Sequence, residues 1–277
     1  MLIGFRELLE ERRARGAAAG AFTCYTLTTA FGVLRAGEIE GAPVILLVSE
    51  ASYRAPDGPL LLAALASAAE RSRALASVQL DHAADAALIA RALGDGAGAV
   101  MADGSRLPYD ENAALVLEVR ALAPRGAGIE AELGHIEGGE DIAVATAAGA
   151  LTDPDDAGRY ARETGVDCLA ISIGNVHGEY AAPPLLDWQR LERISARVEV
   201  PLSLHGASGL PDDDVRRAVA AGICKVNVNT ELRARLFAEL GRRAPVTAPG
   251  LRLLELESAL VDAVAEVAAA KLRLLAG

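Results

Sequence analysis

Residues 200–240 read VPLSLHGASGLPDDDVRRAVAAGICKVNVNTELRARLFAEL, and this stretch carries the reading of the fold. The apolar run Val200–Leu204 leads into a Gly-rich turn and an amphipathic segment over Asp213–Ala221. A second apolar run, Ile223–Val228, leads into another amphipathic segment over Glu231–Leu240. Short apolar runs bounded by turn residues read as buried strands, and a 3.6-residue apolar period reads as helix. The order is therefore strand, helix, strand, helix.

The same rhythm extends towards the N-terminus. Further strands are expected at Ala19–Tyr25, Pro43–Val48, Ser77–Leu80, Ala99–Ala102, Gly128–Leu133 and Asp167–Ile173. Helices are expected between them at Thr29–Ala36, Leu60–Leu75, Ala86–Leu93, Asn112–Leu122, Pro154–Thr164 and Trp188–Ala196. Eight strand–helix units predict an α/β fold closed into a (β/α)8 TIM barrel with an extra C-terminal helix, a single domain over residues 1–277. An open doubly wound sheet is the competitor, but no G-x-G-x-x-G follows the first strand. Leu251–Leu275 reads as the extra helix, covering a barrel end or forming an oligomer contact.

Composition limits the function. The 277 residues are 52% hydrophobic and 23% charged, which excludes wholesale disorder. A net charge of −11 repels nucleic acid and anionic lipid, and 4% aromatics leaves little for stacking on bases. No nucleic acid or membrane partner is expected. No apolar run reaches the roughly 18 residues of a bilayer span. The opening MLIGFRELLEERRARG is amphipathic and lacks a signal-peptide core. Cys24, Cys168 and Cys224 lie far apart in apolar runs without metal-ligand spacing, so they read as buried and reduced, and a cytoplasmic location is expected.

Catalytic residues in such barrels sit at the C-terminal strand ends. There the chain carries Asp81-His82, Asp103-Gly104-Ser105, Glu130 and Glu132, Asn175-Val176-His177-Gly178, His205-Gly206-Ala207-Ser208-Gly209, and Asn227 to Thr230. Three of the four histidines, His82, His177 and His205, would converge on one mouth, and three histidines plus an open position is a catalytic zinc arrangement. His135 reads as an ordinary loop residue. Asp81 reads equally as an acceptor orienting His82 or as an acid or base facing substrate. Asp103 and Glu132 read as helix caps or arginine partners, or as a second carboxylate-rich metal site. The two Gly- and Asn-rich turns after strands seven and eight fall where such barrels bind phosphate, with Thr230 as an N-cap.

Taken together, Leu80-Asp81-His82, Asp103-Gly104-Ser105, Glu130-Ala131-Glu132-Leu133-Gly134, Val176-His177-Gly178, Leu204 to Gly209 and Lys225 to Thr230 resemble the class II ketose-bisphosphate aldolases, in order from about Ala21 to Leu240. The resemblance implies that His82, His177 and His205 bind catalytic Zn²⁺ and that Asp81 donates a proton to the aldehyde oxygen. It implies that Gly178, Gly206, Ala207, Ser208, Asn227, Val228, Asn229 and Thr230 hold dihydroxyacetone phosphate, with Asn227 also catalytic. Ser49 matches a substrate-contacting serine. Asp103 and Glu132 match a second metal position, and Glu140 matches a mobile-loop acid that moves the substrate proton. A Na⁺ or K⁺ near Gly178 and Gly206, a phosphorylated sugar substrate and a homo-oligomer, dimer or tetramer, are implied as well. The chain departs from the family at Thr23, where Asn is usual, at Ala83 and in the spacing of Glu137-Gly138-Gly139-Glu140-Asp141. Ala207, where Gly is more frequent, is similar to the tagatose-type branch.

Chemistry agrees with that implication. Breaking a carbon–carbon bond beside a carbonyl leaves a carbanion, which a chelating metal or a lysine imine stabilises. Of only two lysines, Lys225 alone lies near the strand ends, and an imine there would leave the three histidines unexplained. A metal-assisted hydrolase and a non-catalytic phosphosugar-binding barrel are the alternatives.

Overall fold

The structure, a computed structural model, describes residues 1–138, 149–178, 180 and 185–277. Eight parallel strands close into a barrel in chain order: β1 (Ala19–Thr23), β2 (Val44–Ser49), β3 (Ala76–Ala83), β4 (Ala99–Ala102), β5 (Gly128–Leu133), β6 (Cys168–Ile171), β7 (Leu202–Leu204) and β8 (Ile223–Val228). The closing seam sets Ala21 of β1 beside Asn227 of β8. The expected barrel is thus the observed one. Strand ends differ from the expected ones by up to three residues, most at β3, which runs on through His82.

The helices are α1 (Phe5–Ala14), α2 (Leu27–Glu40), α3 (Glu50–Arg54), α4 (Gly58–Arg71), α5 (Ala86–Gly94), α6 (Tyr109–Leu122), α7 (Pro154–Thr164), α8 (Trp188–Ser195), α9 (Asp212–Ala220), α10 (Thr230–Thr247) and α11 (Leu253–Leu274). Side-chain caps set several starts: Thr26 accepts the Thr29 N–H, Asp85 those of Ala87 and Leu88, and Asp153 those of Asp155 and Asp156. The short α3 has no apolar period to announce it, yet Ser49 caps it by accepting from the Ser52 N–H. Among the described residues no helix is long and apolar enough to cross a membrane.

Two elements acquire their roles only in three dimensions. The opening amphipathic segment becomes α1, and its Phe5, Leu8 and Leu9 pack on Ala19, Ala21, Ile45, Leu47, Ala99 and Cys168. These are inward residues near the strand starts, so α1 plugs the bottom of the barrel. Gly128 makes room for the plug, because a Cβ there would stand 2.6 Å from Phe5. The C-terminal α11 covers no barrel end. It lies against α2 and α10 on the outside and buries Leu260, Val264, Ala268 and Leu272.

Side chains alternate in and out along each strand. The outward residues join the apolar core beneath the helices. Inward and above the plug, the lining turns polar: Ser77, Gln79 and Asp81 on β3, Glu130 and Glu132 on β5, and Lys225 and Asn227 on β8 are all buried. Buried polar groups persist only when they are mutually bonded, so this lining must form a network.

Candidate metal centre and active site

The three histidines meet above the polar lining. His82 Nε2 and His205 Nδ1 are 2.8 Å apart, and the ring centroids are 4.9 Å apart for His82–His177, 4.8 Å for His82–His205 and 5.9 Å for His177–His205. One donor atom from each lies within 4.8 Å of the others. His82 reaches the mouth through an irregularity. Between Leu80 and Ala83 the register of β3 against β4 shifts, and His82 has φ of 52°. A regular strand would send Asp81 and His82 to opposite faces, and the bulge turns both towards the mouth. Left-handed backbone at a non-glycine residue costs on the order of 1–3 kcal/mol, a strain that the surrounding pairing holds in place.

Carboxylates orient the imidazoles. His82 Nδ1 bonds Asp103 Oδ2 at 2.7 Å, and His205 Nε2 bonds Glu130 Oε1 at 2.9 Å. This carboxylate–imidazole arrangement recurs behind metal ligands and leaves the opposite nitrogen for the ion. Burial and the Lys225 charge push His205 down to about 3, so its imidazole is neutral, the form that ligates. Burial and the neighbouring Asp103 push Glu132 up to about 7. Burial works against ionising Asp103 too, but His82 and Ser105 hold it well below the usual carboxylate range. Glu132 Oε1 accepts from the Ile136 N–H at 2.9 Å, while its buried Oε2 has no hydrogen-bond partner among the described residues. Three convergent imidazoles fit the donor set of Zn²⁺. His82, Asp103 and Glu132 also lie within 4.8 Å of one another and could hold a second cation.

Beneath the histidines lies a bonded lattice. Glu130 Oε2 accepts from Lys225 Nζ at 2.8 Å and from Gln79 Nε2 at 2.6 Å. Lys225 Nζ also donates to Asn227 Oδ1 at 2.7 Å, and Asn227 Nδ2 donates to Asp81 Oδ2 at 3.2 Å. Lys225 is fully buried in these bonds below the mouth, which argues against its serving as an imine-forming nucleophile. Burial works to raise Glu130, but Lys225 and His205 hold its carboxyl well below the usual range.

Two cavities flank the histidines. The smaller is lined by His177, Gly178, Gly206, Ser208, Asn227, Asn229 and Thr230. Gly206 has φ of 63°, and a Cβ there would strike the Val176 carbonyl oxygen. α10 begins at Thr230, with Asn229 and not the expected Thr230 at the N-cap and no side-chain cap bond, so its first-turn N–H groups face the cavity end and favour an anion. Ala207 and Val228 turn their side chains into the apolar core, leaving only their main chain for a ligand. The larger cavity, about 260 Å³, is lined in part by Ser49, His82, Asp103, Arg106, His135 and His177.

The strand-end reading therefore brings together Asp81, His82, Asp103, Glu132, His177, His205 and Asn227, with Ser49 at the cavity wall. Glu140 lies outside the described residues. His135 corrects the sequence reading. It contacts Ser105 Oγ through Nδ1 at 3.0 Å and lines the larger cavity. The linking roles of Glu130 and Lys225 were also missed; alternation along β5 and β8 sets both on the inner face, with Glu132 and Asn227. Thr23 ends β1 with its buried hydroxyl lacking a hydrogen-bond partner among the described residues.

The sequence matches the family described as fructose-bisphosphate aldolase class-II over residues 4–276. It is 41% identical over 234 residues to the D-tagatose-1,6-bisphosphate aldolase subunit GatY of Klebsiella oxytoca, covering 84% of this chain and 82% of that protein. The YdjI aldolase of Escherichia coli K12 superposes with a TM-score of 0.87 at 29% identity, over 99% of this chain and 97% of that one. A fructose-bisphosphate aldolase from Campylobacter jejuni, at 20% identity, supports the fold alone, with a TM-score of 0.79 over 99% of this chain and 95% of that one.

Proposed function

The chain belongs to the class II fructose-bisphosphate aldolase family and is a class II aldolase; from that premise we propose that it performs zinc-dependent aldol cleavage and condensation of a phosphorylated ketose, with dihydroxyacetone phosphate as one product. The observation that carries this reading is the convergence of His82, His177 and His205 beside a cavity walled by Gly178, Gly206, Ser208 and Thr230. Zn²⁺ held by the three histidines would supply Lewis-acid stabilisation of the charge that develops as the carbon–carbon bond breaks.

The chain's own residues do the rest. Main-chain N–H groups around Gly206, Ala207, Ser208, Val228, Asn229 and Thr230 grip the phosphate. Asp81 gives a proton to the aldehyde oxygen in condensation and takes it back in cleavage, and Asn227 orients it through the 3.2 Å bond. Glu140 moves the proton at the dihydroxyacetone phosphate carbon. Ser49, in the larger cavity, contacts the remainder of the sugar. Asp103 and Glu132, beside His82, are the residues that would hold a second divalent cation, and the turns at Gly178 and Gly206 would hold a Na⁺ or K⁺. The active form is a cytoplasmic homo-oligomer.

The test is coupled release of dihydroxyacetone phosphate from a panel of ketose phosphates, led by tagatose 1,6-bisphosphate, the substrate in the name of the Klebsiella relative. Chelation should abolish release and Zn²⁺ should restore it. Full activity without metal, with borohydride trapping at Lys225, refutes the reading.

A further inference from the structure

Lys225 touches both halves of the lattice beneath the histidines, Glu130 on one side and Asn227 on the other. Its ammonium is a donor only, with no acceptor of its own. That single property has consequences in two directions.

Towards Glu130, the 2.8 Å contact and the 2.6 Å bond from Gln79 both fall on Oε2. They leave Oε1 for His205 Nε2 at 2.9 Å. A carboxylate in this setting accepts, so Nε2 carries the proton and Nδ1 keeps the lone pair. Nδ1 is the atom 2.8 Å from His82 Nε2, at the point where the histidines converge. Towards Asn227, the 2.7 Å contact requires the amide oxygen to face Lys225, because two donors cannot face each other. The amide N–H₂ is then forced to the other side, where it donates to Asp81 Oδ2 at 3.2 Å and lies 3.4 Å from His205 Nδ1. Turning the amide over would set an oxygen against the Asp81 carboxylate.

We propose that Lys225 is a positioning residue with two outputs: through Glu130 it selects the ring nitrogen that His205 offers to the metal, and through Asn227 it holds Asp81 in place for proton transfer. This rests on the zinc-dependent reading above. Lys225 itself is fully buried and lines neither of the two cavities beside the histidines.

The test pairs a double variant that removes both charges of the buried pair with a Glu130 single variant in which Lys225 keeps its 2.7 Å bond to Asn227 Oδ1; Lys225→Met alone is avoided because it would leave the Glu130 carboxylate with no cation in the barrel. The variants are Lys225→Met/Glu130→Gln and Glu130→Gln. Each is checked for folding by circular dichroism and compared with the parent in three measurements. These are Zn²⁺ affinity by chelator competition, ketose cleavage at saturating Zn²⁺, and proton exchange at the dihydroxyacetone phosphate carbon, which needs no aldehyde. Partners that orient metal ligands typically contribute roughly 10–100-fold to metal affinity or activity. Both variants should lose Zn²⁺ affinity by about that factor. At saturating Zn²⁺, with ketose saturating for cleavage and dihydroxyacetone phosphate saturating for exchange, weaker binding through Asn227 no longer limits the rate. Only the double variant should then lose cleavage by tenfold or more relative to proton exchange, because Asn227 is released only when Lys225 is gone. A folded double variant with parental Zn²⁺ affinity and a parental ratio of cleavage to exchange overturns the proposal. A parent chain that binds no Zn²⁺ and exchanges no proton overturns the underlying reading, and the proposal with it.

Discussion

Asp81→Asn separates proton transfer from metal binding. The Asp81 carboxyl is fully buried and accepts from Asn227 Nδ2 at 3.2 Å through Oδ2. It is absent from both groups of convergent donors, His82–His177–His205 and His82–Asp103–Glu132. Asparagine keeps the shape and an oxygen for Asn227, leaves no cavity and buries no new charge. What disappears is a group that can hand over a proton. Removing a positioned acid or base costs about 10²–10⁴-fold in rate, equivalent to roughly 3–5 kcal/mol of transition-state stabilisation. Cleavage measured by coupled dihydroxyacetone phosphate release should fall by that factor while zinc content after dialysis stays parental. His205→Ala supplies the contrast. It deletes an imidazole that is fully buried among the convergent donors, and zinc should be lost on dialysis. Proton exchange on dihydroxyacetone phosphate, which does not involve the aldehyde oxygen, should survive in Asp81→Asn and vanish in His205→Ala. Equal zinc loss in the two variants, or loss of exchange in zinc-replete Asp81→Asn, would refute the division of roles.

Phe5→Ala should destabilise by about 3–5 kcal/mol, the usual cost of emptying a large buried aromatic site, because Phe5 is 1% exposed and wedged against Gly128. Urea unfolding checks this, and a change below about 1 kcal/mol would contradict the plugging role of α1. Gly206→Ala should add about 1–2 kcal/mol of left-handed strain and a clash with the Val176 carbonyl. It should raise the KM for dihydroxyacetone phosphate in condensation, and an unchanged KM would remove this turn from the phosphate site. Glu239 is held down to about 2 by bonds from Arg242, Arg235 and Arg243, so its contribution is complete above the ordinary carboxylate range and fades as pH falls through about 2. The stability gap between parent and Glu239→Gln should therefore be widest near neutrality and narrow in acid, and a gap that does not change with pH would contradict the assignment.

The helix–strand alternation was legible because it is local. A run such as Ile223–Val228 is buried on both faces wherever such a barrel forms, and its apolar outward residues need no knowledge of partners. The placing of His82, His177 and His205 on one mouth was legible for a related reason. Parallel strands all end on the same side, so residues after each apolar run must share it. The opening helix was legible as amphipathic, but its target was not. The residues that Phe5 covers come from β1, β2, β4 and β6, and only closure of the barrel assembles them.

Three features of the site were decided by tertiary structure alone. The bulge that turns His82 inward arises from the register of β3 against β4, a relation between two strands that neither encodes singly. His135 joins the cavity because its loop falls back on Ser105, a contact across 30 residues of chain. The Lys225–Glu130 pair spans the barrel between β8 and β5, and its bonds to His205 and Asn227 depend on distances that strand parity cannot supply. Sequence determined which residues face the barrel interior, because side-chain alternation is a property of each strand. Structure determined which of them touch, because contact across a barrel is set by closure and shear, which belong to the whole sheet.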